Sequence, residues 1–190
     1  MKIKTQPVAL AVALNTLKAT LRIETSETDQ DALLTLAIRT ASKLVEQAGA
    51  TLITTVYQAF YDRFPDAIQL PLSYPMQTVD SIKYIDQDGD EQTLSASLYR
   101  SNLNSIPAQI EPAYGEAWPT TRYISSAITV EYTAGFGDAS TDLDPAFAAA
   151  VEAIAVDIYE HPEAQIVGTI ATPNRSLQML IDLTRIPKSY

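Results

Sequence analysis

The longest regular pattern in the chain lies between about Glu27 and Ala48. Apolar side chains recur there at Leu33, Leu34, Ala37, Ile38, Ala41, Leu44, Val45 and Ala48. This spacing, with a period near that of an α-helix, draws one continuous apolar stripe. Ser26 or Thr28 can cap the start, Asp29 and Asp31 suit the positive end of the dipole, and Gly49 is a natural stop. A shorter helix precedes it, with Leu14, Leu17 and Leu21 on one face. Its start has two readings. Propensity lets it run back to Val8, just after Pro7; the alternative is an extended arm from Lys2 to Val12 and a helix from about Ala13.

From Leu52 to Gly137 helical periodicity fades and threonine, tyrosine, valine and isoleucine become frequent. Thr54 to Phe64, Val79 to Ile85, Glu91 to Leu94, Leu98 to Ser101, Ile106 to Ile110 and Ala127 to Thr133 read as strands. Asp88-Gly89 between two of them is a hairpin signal, because both residues tolerate positive φ. Six prolines cut the segment into short pieces, which favours a small antiparallel sandwich or barrel over a parallel sheet. Asp144-Pro145 then opens a third helix, with Phe147, Val151, Ile154, Ala155 and Ile158 inward and Pro162 at its end. A short amphipathic helix is expected from about Asn174 to Thr184, then an extended tail.

The expected fold is therefore α+β: a helical bundle of about four helices with a small antiparallel β insertion subdomain in the middle. One composite domain spans residues 1–190, with helices in 13–49 and 144–184, the β insertion in 52–137, and extended arms at 1–12 and 185–190.

Composition narrows the function more than the fold. The 190 residues are 46% hydrophobic and 19% charged, as in a globular protein and unlike a disordered chain. There is no cysteine, which excludes disulfides, thiolate metal sites and cysteine nucleophiles. No apolar run approaches the ~18 residues of a membrane span, and no basic segment followed by a long apolar one opens the chain, so no membrane partner is expected. A formal net charge of −10 repels nucleic acid at long range. It fits a surface that DNA slides past, but also any ordinary acidic protein.

Reactive constellations are scarce. His161 is the only histidine, so a two-histidine metal site is impossible; at the end of the third helix it complements the dipole. Asp86, Asp88, Asp90 and Glu91 suggest a calcium loop, but Gly89 is fourth from Asp86 and the twelfth residue is Ser97, so a solvated hairpin tip fits better. Ala134-Gly135-Phe136-Gly137 lacks the third glycine of a dinucleotide loop and reads as a tight turn. Trp118-Pro119 and the ten tyrosines admit a carbohydrate or peptide groove, with half-buried packing the commoner use. No catalytic residue, metal or cofactor is expected.

Taken in order, the pieces resemble the phage head–tail connector (adaptor) family. They are Leu14 to Ile23; the long helix ending Ala48-Gly49; Ile68-Gln69-Leu70-Pro71; Val79 to Ile85 with Asp88-Gly89, Leu94 and Tyr99-Arg100; Trp118-Pro119; Ile128 to Gly137; Asp144-Pro145 with the helix to Glu160; and Leu183 to Pro187. The shared order carries the resemblance, which covers nearly the whole chain and favours the extended arm before residue 13. Leu17, Ala13 and His161-Pro162 depart from the family pattern at helix ends.

The resemblance implies a structural virion protein of the neck, assembled in the host cytoplasm, and not an enzyme. It implies a homo-oligomeric ring, twelve-fold to match the portal protein, with genomic DNA passing through the lumen without specific binding. The partners implied are the portal and the next neck, stopper or tail protein. Arg185, Ile186, Pro187, Lys188 and Tyr190 combine charge, a stiff turn and an aromatic anchor, and are the expected portal interface. Asp86, Asp88, Gly89 and Asp90 are the expected tail-side or subunit-interface loop. A stopper or tail-completion protein is the nearest alternative, a carbohydrate-binding or hydrolytic module a more distant one.

Overall fold

The computed structural model describes residues 1–71 and 74–161. Among them are eight strands: β1 (Lys2–Thr5), β2 (Thr55–Tyr61), β3 (Ile68–Leu70), β4 (Met76–Ile85), β5 (Glu91–Thr93), β6 (Tyr99–Asn102), β7 (Ala108–Pro112) and β8 (Ile128–Ala134). Three α-helices accompany them: α1 (Leu14–Thr20), α2 (Asp31–Glu46) and α3 (Pro145–Glu160).

The class is mixed α and β, but the expected four-helix bundle with a small insertion is not what forms. Eight strands in two antiparallel sheets make up a core of their own, and α1 spans only seven residues. Among the described residues there are three α-helices, beside two antiparallel sheets. The sheets gain the N-terminal arm, which pairs as β1, and the three-residue β3. The helix expected over 174–184 lies outside the described residues.

The chain divides into two compact units. The first joins Met1–Gln6 to Thr54–Gly135. Its larger sheet has the order β1-β2-β8-β4-β5 and its smaller sheet β3-β7-β6, all neighbours antiparallel. Residues alternate between buried and partly exposed along β8, so Ile128, Val130, Tyr132 and Ala134 share the inner face. Tyr57, Ala59 and Ile82 join them from the same sheet, and Ile68, Leu70 and Ile110 from the other. Tyr57 lies opposite Tyr132 in the β2–β8 register, and the rings stack with centroids 5.5 Å apart. Tyr132 Oη donates to the Pro71 carbonyl and Tyr61 Oη to that of Gln69 at 2.6 Å, so buried phenols stay satisfied.

The second unit contains Pro7–Ile53 and residues 136–161. Residues before Leu14 are not helical, which settles the start of α1 in favour of the arm. That helix ends in a reciprocal pair of backbone bonds, Arg22 N–H to the Ala19 carbonyl and Ile23 N–H to the Lys18 carbonyl, with Arg22 left-handed at φ 57°. Helix α2 buries Leu34, Ala37, Ile38, Ala41 and Val45 and packs on α3, which buries Phe147, Ala150, Val151, Ile154 and Ala155. Leu33 and Leu44, expected in the buried stripe, are instead exposed. Helix α2 also starts later than expected, at Asp31, with Gln30 in place of Ser26 or Thr28 before it. Asp144 caps α3 as anticipated, its carboxylate accepting from Ala146 N–H at 2.8 Å.

Candidate functional site

Three loops meet at one end of the β unit, where β2 and β4 end and β8 begins. The β4–β5 hairpin tip is built around Asp86. One carboxylate oxygen accepts from the N–H of Gly89 at 3.0 Å and of Asp90 at 2.9 Å; the other accepts from Gln92 Nε2 at 2.8 Å. The Gln92 bond, followed by those from the backbone, holds the Asp86 carboxyl below its ordinary range. Gly89 sits at φ 101°, and a Cβ placed there would meet the Arg122 guanidinium at 2.5 Å. The positive φ calls for glycine here, and the guanidinium at the end of the flexible Arg122 side chain lies over it.

Arg122 belongs to the long connection from β7 to β8. Its N–H donates to the Ile85 carbonyl at 3.0 Å, and the Ile85 N–H donates to the Ala127 carbonyl at 2.9 Å. Asp62, just past β2, accepts from the Ser126 N–H at 2.7 Å and the Ser125 hydroxyl at 3.3 Å. This fixes a turn with Ser126 left-handed at φ 56°. Tyr123 is 95% exposed and Ile124 42%. The result is a pinned surface with acids on the hairpin, one arginine across it, and an aromatic and an aliphatic side chain in solvent. Such a mixture suits contact with another macromolecule.

The expected loop residues Asp86, Asp88, Gly89 and Asp90 are therefore all on this surface. Sequence reasoning missed Asp62, Arg122, Tyr123 and Ile124, which only strand pairing brings there. Ser-Ser-Ala before β8 carried no readable signal. The expected interface at Arg185, Ile186, Pro187, Lys188 and Tyr190 lies outside the described residues.

Other candidates resolve as structure. Trp118 stacks on Phe64 at 4.7 Å with planes 8° apart and packs against the β core, so this face of the indole is taken; its Nε1–H finds no acceptor among the described residues. His161 follows α3, with Nδ1 3.5 Å from Asp157. No group of three or more histidines or carboxylates among the described residues is arranged to hold a metal. No described helix is long and apolar enough to cross a membrane.

Two ion pairs hold the frame. Lys18 is 2% exposed, and its Nζ donates to the Glu27 carbonyl at 2.6 Å and the Thr25 carbonyl at 3.4 Å. The same atom lies 2.5 Å from Asp31 Oδ1, an ionic contact and not a well-aligned hydrogen bond. Lys18 thus ties α1, the 22–30 segment and the start of α2 together. In the β unit Lys4 of β1 lies 2.5 Å from Glu131 of β8. Mainly through that bond, and through Gln58, the Glu131 carboxyl is held below its ordinary value.

Neither a protein-family model nor a curated protein sequence matches the chain. Solved structures do. The chain is similar to one in the virion of a native gene transfer agent (GTA) particle, with 22% identity and a TM-score of 0.79, covering 100% of this chain and 96% of that one. It is similar to one in the neck of an empty GTA particle computed with C6 symmetry, with 22% identity, a TM-score of 0.77 and the same coverage. A third, in the neck of a native GTA particle computed with C12 symmetry, has 24% identity and a TM-score of 0.69, covering 100% of this chain and 98% of that one. The fold of this chain is, over its full length, that of a chain in these particles.

Proposed function

We propose that this protein is a structural subunit of the neck of a tailed, phage-like particle, a head–tail connector that forms a ring beneath the portal. The observation that carries the proposal is the full-length fold match to chains of GTA particle necks. The ordered sequence pieces that resemble the connector family support it independently. The twelve-fold ring is favoured by the C12 symmetry used for one of those necks. In this reading the protein acts by docking and not by catalysis. The ring continues the DNA channel, and the net charge of −10 per copy keeps DNA phosphates from adhering to it.

The hairpin end, with Asp86, Asp88, Gly89, Asp90, Arg122 and Tyr123, is the proposed contact for the tail side or a neighbouring subunit. The segment containing Arg185, Ile186, Pro187, Lys188 and Tyr190 is the proposed portal contact. The test is co-sedimentation with the portal of the same particle, using the full chain and a chain truncated after Asp182. Binding lost on truncation supports both connector and tail contact; binding by both forms retains the connector and rejects the tail contact. Binding by neither, with the portal ring intact, favours a stopper position further down the neck.

A further inference from the structure

Helix α2 carries a second apolar stripe besides the buried one. Leu33 and Leu36 are each 61% exposed and Leu44 is 39% exposed. With Thr40 between them they follow a three- and four-residue spacing, so they form one ridge about 16 Å long on a single side of the helix. Three leucines aligned in solvent differ from the scattered exposed residues of an ordinary surface. The charges beside the ridge are Arg39, which makes no ion pair among the described residues, and Lys43, paired with Glu46 at 2.6 Å. Both acids of α2 are engaged internally, Asp31 with Lys18 and Glu46 with Lys43 and the Leu52 N–H. The ridge is therefore flanked by one unpaired cation among the described residues, Arg39, and by the Lys43–Glu46 pair, on a chain of net charge −10.

Helix α3 offers the reverse. It contains no lysine or arginine. Away from its buried side lie Ala146 and Ala149, both exposed, and Ala153, half-buried, followed by Asp157 and Glu160. Among the described residues the Asp157 carboxylate pairs with His161 alone, at 3.5 Å. Small side chains keep this side of the helix low, and acids stand at its far end.

We propose that the Leu33–Leu36–Leu44 ridge of one copy seats on the Ala146–Ala149–Ala153 face of α3 in a second copy, with Arg39 and Lys43 against Asp157 and Glu160. The occupant is a second copy because large meets small and positive meets negative on the same chain. The two faces differ, so the contact is heterologous, the kind that closes into a ring when repeated. This inference rests on the ring reading above and names the surfaces that would build it.

The chain has no cysteine, so disulfide trapping has no background. Leu36→Cys and Ala149→Cys are prepared separately and together, with far-UV circular dichroism confirming the fold. Under mild oxidation at high protein concentration, each single variant alone stays monomeric on a denaturing gel, their mixture gives a covalent dimer, and the double variant gives a ladder. A Leu36→Cys homodimer, or no mixed dimer, overturns the contact. So does an intrachain disulfide between Leu36→Cys and Leu180→Cys, which would mean that the chain's own C-terminal segment covers the ridge. Portal-bound rings without the mixed cross-link overturn this contact alone. Mixed cross-links in a protein that joins no neck leave the contact standing and overturn the neck reading.

Discussion

Replacing Lys18 with methionine isolates the buried ammonium from the packing of its stem. Methionine keeps nearly the same length and volume, so cavity formation is small. What is lost is the contact to Asp31 at 2.5 Å and the bonds to the Glu27 and Thr25 carbonyls at 2.6 and 3.4 Å. Breaking a buried pair by removing one partner costs about 3–5 kcal/mol when the remaining charge stays dry. Asp31 is 33% exposed, so water takes over part of that role. Discounting for this screening leaves about 2–4 kcal/mol. For a domain of this size that corresponds to a midpoint lower by about 5–15 °C. The assay is urea unfolding followed by circular dichroism at 222 nm, where helices dominate. A cycle with Asp31→Asn should show the two changes to be non-additive, because both act on one contact. A Lys18→Met loss below about 0.5 kcal/mol, within the range of an ordinary surface change, would refute the reading of Lys18 as the tie between α1, the 22–30 segment and α2.

Further outcomes follow from the same geometry. Arg22→Gly relieves a left-handed residue at φ 57° and should raise stability by about 0.5–1 kcal/mol in the same urea assay. Gly137→Ala drives a Cβ into the Asp142 side chain, whose carboxylate accepts from the Ala139 N–H; a loss of about 1–3 kcal/mol by thermal unfolding is expected. Glu131 is held below its ordinary value of 4.5, so its contribution is fully present above that pH and falls away as acid protonates it; Lys4→Met should move its NMR titration midpoint upward. Burial pushes the Tyr61 hydroxyl up to about 12 and raises that of Tyr132 as well, so absorbance at 295 nm should show both phenols ionising above the ordinary tyrosine value of 10.0.

Features set by neighbours in the chain were the ones legible in the sequence. The cap at Asp144 and the turn at Gly89 each depend on a few adjacent residues, and each is where local chemistry places it; α2 ends at Glu46, short of the stop expected at Gly49, which still takes a positive φ of 108°. The strand segments from β4 to β8 were also visible, since Thr, Tyr, Val and Ile cluster there. Their arrangement was not. Pairing β2 with β8 brings Tyr57 to Tyr132 across a long stretch of chain, and no local signal encodes that partner. Strands β1 and β3 are too short to show a period, and Lys2 to Thr5 reads only as part of an extended arm until pairing with β2, with Lys4 on Glu131, makes it a strand of the sheet. Periodicity also merged two stripes of α2 into one. Leu33 and Leu44 fit the apolar pattern, and only the position of α3 decides that Leu34, Ile38 and Ala41 are inside and those two are not. On the hairpin surface the acids were legible because Asp-Gly marks its own turn. Arg122 was not, because its place over Gly89 is set by the Ile85 pairing more than thirty residues away in sequence.

Whether the chain is a neck subunit can be read from a cryo-electron microscopic reconstruction of the neck of the particles encoded with it. A closed ring between portal and tail is expected, its subunits matching the β1-β2-β8-β4-β5 sheet and the α2–α3 pair. Purified particles with a complete neck that lacks this chain would contradict it.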